Sequence, residues 1–180
     1  MIGEGNMIKQ DTSNNPLAII GVALCSILLG SLIGGLTNSI NGAISPLYYR
    51  LVMGWRFEDI WSASIAQGIF EGTLYGIVFS IVFTTGFSLI SKGRASFSFA
   101  LRVLIQVFLF VLICWIIGGA IATFIAFFSP DLYRASIHIA PEEKNSLLRF
   151  AWVGGSIWGG IVGALIGCIL SLVWTKNSYV

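Results

Sequence analysis

Glu71 is the only charged residue well inside an apolar stretch of this chain, and polar residues gather near it in a pattern. Gln67 stands four residues earlier, on the same face of a helix. Thr37, Asn38 and Asn41 belong to the preceding apolar stretch, with Asn38 and Asn41 eight and five residues before Pro46. Gln67 and Glu71 follow Trp61 by six and ten residues. If the two stretches run antiparallel, these groups fall at comparable depth. A charge at the centre of a bilayer costs at least about 2.5 kcal/mol on insertion scales, so a carboxyl there takes partners or marks a path. The cluster therefore has two uses. It can be an interhelical hydrogen-bond cluster that fixes register, worth about 1–2 kcal/mol per bond at most. It can also be a site for a proton, a cation or a polar solute.

A second group of candidates follows two Ser-Pro pairs: Tyr49 and Arg50 after Pro46, and Tyr133 and Arg134 after Pro130. Tyrosine rings favour the headgroup level of a membrane. Arginine grips phosphate through a rigid fork. Interfacial anchoring, or contact with a lipid phosphate or a partner, is the expectation for these four. Other chemistry is missing from the pattern. His138 stands alone in a polar segment, and Glu142 and Glu143 beside it complete no catalytic set. Cys25, Cys114 and Cys168 sit singly on separate stretches without metal spacing, and read as small hydrophobes. The glycine repeats lack the lysine and preceding strand of a phosphate-binding loop. No basic face suits nucleic acid. The chain reads as a non-enzyme without a cofactor.

The elements that hold these residues are set by composition. Hydrophobic residues make up 56 % of 180 residues and charged residues 10 %, against roughly 25 % charged in soluble domains. Mean hydropathy is +0.88. Those values exclude a soluble domain, a disordered chain and a disulfide scaffold. A spanning helix needs about 20 apolar residues, and four stretches qualify: Leu17–Ile44, Ile60–Ile90, Val103–Phe128 and Phe150–Trp174. Their apolar runs are continuous, which rules out alternating barrel strands. Trp61, Trp152 and Trp174 are expected near span ends. The first sixteen residues lack the pattern of a signal peptide, so the first span is expected to be retained.

An internal repeat organises the four spans. Residues 33–50 align with 117–134 without a gap, at an offset of 84, with seven of eighteen positions identical. The shared residues include Ser45-Pro46 with Ser129-Pro130, and Tyr49-Arg50 with Tyr133-Arg134. Three inserted residues, expected in the second loop, shift the offset to 87, where Gly68, Gly72 and Gly76 meet Gly155, Gly159 and Gly163. Small residues recur every fourth position on each span, through Gly34 on the first and Gly118 on the third. Such stripes let backbones approach in lipid, with right-handed crossings near about −40°. The fold expected is an all-α integral membrane protein. It comprises a polar tail (1–16), a two-span hairpin (17–90), a basic connection (91–102), a second hairpin (103–174) and a short tail (175–180). The hairpins are parallel-oriented, related by about 180° around the membrane normal as in parallel-repeat transporters, and packed by glycine zippers. The repeat is chemically uneven. Thr37, Asn38, Asn41, Gln67 and Glu71 correspond to Ile121, Ala122, Ile125, Gly154 and Trp158.

Four spans place both termini on one side. Lys9, Lys92, Arg94, Arg102 and Lys176 lie there, against Arg50, Arg56, Arg134, Lys144 and Arg149 opposite. The positive-inside count ties, and the dense Lys92, Arg94, Arg102 group points the termini to the cytoplasm. In span count and glycine content the chain is similar in outline to the Tim17/Tim22/Tim23 import proteins, without a matched motif residue. The signature residues of small fluoride channels and multidrug exporters are missing. Packing surface exceeds chemistry, so the expected function is an accessory, assembly or scaffold subunit of a membrane complex. Its partners would be the lipid bilayer and either further copies or other membrane subunits. The alternative is a small transporter or channel using the cluster around Glu71.

Overall fold

The computed structural model describes residues 16–92 and 96–179. Most of the polar tail, with Lys9, and Arg94 of the basic connection lie outside the described residues. The described chain is helical: α1 (Pro16–Ile44), α2 (Pro46–Val52), α3 (Ile60–Ser91), α4 (Phe97–Phe128), α5 (Pro130–Ser136) and α6 (Lys144–Tyr179). Four of these, α1, α3, α4 and α6, are long and apolar enough to cross a membrane. Their large apolar residues face outward in number. Leu24, Leu28, Leu32 and Leu36 on α1 are each more than half exposed, an arrangement that lipid tolerates and water does not.

Helix boundaries depart from the expected spans in physically legible ways. α4 opens at Phe97, six residues early, because Ser96 caps it by accepting from the Phe99 N–H. Half of the expected basic connection is therefore helical, and Arg102 belongs to α4. α6 opens at Lys144, where the Glu143 carboxylate accepts from the N–H groups of Asn145 and Ser146. Asp59 does the same for α3 through the Ser62 N–H. Those bonds hold both carboxyls below their ordinary range. At its far end α3 stops where Lys92 turns left-handed at φ 53°.

The prolines do more than end helices. A proline lacks the donor that a continuing helix needs, yet its fixed φ suits a first helical turn. α1 ends at Ile44, Ser45 accepts from the Tyr48 N–H, and Pro46 starts α2. α4 ends at Phe128, and Pro130 starts α5. Each short helix is tied to the loop beyond it by its arginine. Arg50 donates to the Phe57 carbonyl, and Arg134 donates to those of Pro141 and Glu142.

α1 packs along α3 and α4 along α6, with lesser contacts of α3 on α6 and α1 on α4. The first two contacts are backbone on backbone. A methyl built on Gly34 would strike the Gly68 carbonyl, and one on Gly68 the Gly34 carbonyl. In the second pair a methyl on Gly118 would strike the Gly155 carbonyl, and one on Gly159 would strike the Cys114 carbonyl and stand 3.0 Å from the Gly118 Cα. Gly72 is closed by the Gly30 carbonyl. Under the repeat alignment, the three-residue shift falls within α6. α3 and α6 start at 60 and 144, an offset of 84, whereas their contact glycines Gly68 and Gly155 differ by 87. The expected loop insertion is thus nearly one turn of helix.

The four long helices meet at the end that carries the termini. Val22, Phe83, Phe87, Ala100, Val103 and Leu104 form a buried cluster there, with Leu172 packed against it. Stacked phenylalanines, Phe79 on Phe83 and Phe83 on Phe87, extend it along α3.

Candidate functional site

At the opposite end α2 folds back over the bundle, and the polar residues of the first half lie beneath it. Tyr49 is 0 % exposed, closed in by Ile60 and Val153, with Trp55 stacked on its ring. Tyr48 lies against Phe150 and reaches Gly154 on α6. Tyr133 reaches the same glycine from α5, its hydroxyl 3.7 Å from where a Gly154 Cβ would stand. Gly154 occupies the position that matches Gln67. The missing side chain is what admits two tyrosines to that face of α6.

This placement corrects one expectation. Tyr49 and Tyr133 are buried within the protein, at 0 % and 8 % exposure, and cannot serve as interfacial anchors or lipid contacts from there. The alternation of α2 and α5 turns Tyr49 and Tyr133 inward while leaving Arg50 and Arg134 toward the loops. Both guanidiniums are engaged by loop carbonyls, and Arg134 also pairs with Asp131 at 3.3 Å. Trp152 is likewise not at a helix end. It lies two turns into α6, edge-on to Trp115 and against Gly119. Trp61 does sit at the start of its helix, donating to the Ser39 carbonyl.

Of the five residues expected around Glu71, the structure joins some and separates others. Gln67 Nε2 donates to Glu71 Oε1 at 2.7 Å, the i, i+4 pair expected on one face. Thr37 turns back on its own helix and donates to the Ile33 and Gly34 carbonyls. Asn38 is buried with its Cβ against Gly68, while its backbone carbonyl accepts from Ser64. Asn41 crosses to the other helix pair. Its Oδ1 accepts from Ser156 Oγ on α6 at 3.2 Å, and both residues are fully buried.

The surrounding phenols carry the imprint of this environment. Burial first, and the Glu71 carboxylate second, push the Tyr48 hydroxyl above its ordinary value. Tyr49 is raised further by burial, then by Tyr48 and Glu71. Tyr133 is pushed up to about 12, mainly by burial and then by Tyr48. Glu71, half-buried on α3, therefore lies within electrostatic range of the α2 phenols.

Two buried donors here have no protein acceptor, Asn41 Nδ2 and Tyr49 Oη. The same holds of the indole N–H groups of Trp115 and Trp152. Ser156, Tyr48 and Trp115 were not legible as members of a polar centre. Ser156 offered one usable signal, a hydroxyl set within the glycine-rich, apolar run 153–163. No group of three or more His, Cys, Asp and Glu that could hold a metal occurs among the described residues. No family model, curated protein or solved structure matches the chain.

Proposed function

We propose that the chain is a non-enzymatic, multi-pass membrane protein that serves as an accessory, assembly or scaffold subunit of a membrane complex. In this reading it arose by duplication of a two-span helical hairpin, and each hairpin closes as a glycine zipper. The matched helix breaks after Ile44 and Phe128 and the matched arginine ties to the loops support the duplication. The contacts of Gly34 with Gly68 and Gly118 with Gly155 support the zipper. One observation carries the subunit reading: close packing consumes the small-residue faces inside the molecule, and the outward ridge of α1 is leucine at every fourth position from Leu24 to Leu36. Such a ridge suits a neighbouring transmembrane helix as well as lipid. The Lys92, Arg94 and Arg102 group supports a cytoplasmic side for the termini, which labelling of an introduced terminal cysteine with an impermeant reagent tests.

Cross-linking from a photoreactive residue at Leu28, in native membrane, tests the subunit reading. A protein adduct of defined mass, recovered with the chain on purification, is expected. Lipid adducts alone, with the chain purifying as a monomer, would overturn it. A second reading, a small transporter or channel for a proton, a cation or a polar solute, is favoured by the buried Asn41 and Tyr49 donors that lack a protein acceptor, Tyr49 lying within electrostatic range of Glu71.

A further inference from the structure

One amide stands on the outer surface of an apolar helix. Gln106 lies within α4, is exposed, and makes no side-chain hydrogen bond among the described residues. An amide bare in hydrocarbon loses its solvation without return, so a polar side chain at membrane depth needs a partner. Gln106 forms one wall of a groove of about 210 Å³ between α4 and α6. The floor is buried, with Val107 beneath Gly167, whose added Cβ would stand 3.3 Å from the valine. Leu170 and Trp174, each about half exposed, form the other wall. The Ser171 hydroxyl in the groove already donates to the Cys168 carbonyl.

The groove has a direction. α4 and α6 run antiparallel, since Gly118 meets Gly155 and Phe110 meets Gly167. Phe110 therefore marks the deep end, and Trp174, stacked on Phe99 at 5.5 Å, marks the end that carries the termini. Arg102 precedes Gln106 by four residues, on the same face and one turn nearer that end. It is exposed and makes no ion pair among the described residues. Neither α4 nor α6 contains an acidic residue. From outside inward the order is thus a guanidinium, an amide and an apolar channel. A phospholipid presents the matching order of phosphate, ester carbonyl and acyl chain. Arginine grips phosphate through its fork, an amide N–H donates to a carbonyl, and tryptophan suits the headgroup level.

We propose that the α4/α6 groove binds an anionic phospholipid, with Arg102 on its phosphate, Gln106 donating to an ester carbonyl, and one acyl chain along Gly167, Leu170 and Phe110. Basic pockets between spanning helices select anionic headgroups, and no carboxylate on these helices opposes one. A second copy of the chain fits this face poorly. Copies inserted in the same sense pair about an axis along the membrane normal, which brings their two Arg102 side chains together, and facing like charges oppose association. The site lies on the second helix pair, so it depends neither on Glu71 nor on the leucine ridge of α1.

The test is native mass spectrometry of the full chain, delipidated in detergent and titrated with dioleoyl phosphatidylglycerol or dioleoyl phosphatidylcholine. The native protein should hold its first phosphatidylglycerol about fivefold more tightly than phosphatidylcholine, the scale of one basic residue acting on anionic lipid. Arg102→Gln should bring the two lipids to equal affinity. Gln106→Leu should weaken both alike, because both carry the ester, and leave the preference standing. Both side chains are exposed, so neither change disturbs the packed interior. Equal binding of the two lipids by the native protein would overturn the proposal. An affinity that Gln106→Leu leaves unmoved would also do so, because a surface arginine attracts anionic lipid without any groove. A preference that survives Arg102→Gln would do the same. A dimer that Gln106→Leu dissociates would show that a second copy, and not a lipid, fills the groove.

Discussion

The two helix pairs solve the same packing problem and then diverge. In α1/α3, glycines at 34 and 68 bring backbones into contact, and in α4/α6 glycines at 118 and 155 do so. Around those contacts the first pair holds Asn38, Asn41, Gln67 and Glu71, where the second holds Ala122, Ile125, Gly154 and Trp158. Ile125 and Trp158 are exposed, while their counterparts are buried or half-buried. Small residues thus line the helix contact in both pairs, whereas the polar side chains at these matched positions stand only in the first. In lipid, association rests on close packing, and hydrogen bonds add modest increments. Cohesion does not require the polar set. Its restriction to the first pair, under α2, is what gives it a separate explanation to seek.

The largest effect should come from breaking the shared feature. Leucine at Gly72 must displace the Gly30 carbonyl, and leucine at Gly159 that of Cys114. Neither neighbour is a flexible side-chain end, so each variant should lose about 1–3 kcal/mol, the scale of overpacking. Melting in detergent should fall for both. Gly160→Ala is the control, because a Cβ there would meet Trp115 at 3.8 Å, an ordinary contact. A loss at Gly72 with none at Gly159 would show that the pairs are not equivalent.

A smaller effect separates the tyrosines that the two halves contribute. Tyr133 titrates near 12 in the folded protein against an ordinary 10. A raised phenol adds stability in full below pH 10, and that stability is lost as pH climbs from 10 toward 12. Denaturation midpoints measured across this range should therefore fall, and fall less in Tyr133→Phe. Tyr49 is raised further, so Tyr49→Phe should flatten the alkaline fall more. An identical profile in both variants would contradict the difference in their surroundings.

Smaller again is the bond that joins the pairs. Ser156→Ala removes the hydroxyl held by Asn41. Interhelical bonds in membranes average about 0.6 kcal/mol with a maximum near about 1.7, and a loss within that range is expected on chemical unfolding. In an Asn41→Leu background the same change should cost less. Equal costs in both backgrounds would mean that the bond contributes nothing.

Much of this architecture is legible in sequence because apolar length and small-residue spacing are local signals. The four long helices, and the small-residue stripes that carry Gly34 and Gly68, needed only hydropathy and a four-residue period, while the pairing of those two glycines came from the structure. Helix starts were less legible, since Ser96 and Glu143 act through one or two hydrogen bonds to nearby N–H groups. The inward turn of Tyr49 was not legible at all. Serine before proline both ends α1 and starts α2, and the rotation of a two-turn helix decides which of Tyr48, Tyr49 and Arg50 is buried. Depth matching set Asn41 level with Gln67 and Glu71, whereas the structure lays its neighbour Gly42 against Ser64 and seats Gly68 and Gly72 on Gly34 and Gly30, and the side-chain partner of Asn41 is Ser156, 115 residues away. That contact depends on how the two pairs dock, and a repeat aligned with itself carries no record of docking.

The smallest expected effect falls on the residue with the most conspicuous charge. Glu71 accepts from Gln67 within one helix, and that bond does not reach across to the second pair. Glutamine at position 71 keeps an acceptor oxygen of the same reach and adds a donor, so Glu71→Gln should leave melting nearly unchanged. Leucine should cost more, because it strands the Gln67 amide that now donates to the carboxylate. Flux measured on the same Glu71→Gln protein then sharpens the comparison between the halves. If the polar set serves only to register helices, stability and permeability should both survive. If it serves a solute, permeability should fall while stability holds, since a carboxylate offers its second oxygen to a hydroxyl and an amide nitrogen does not. A large loss of stability in Glu71→Gln would place the charge itself in the cohesion of the first pair, and would end the division of labour between glycine packing and polar chemistry.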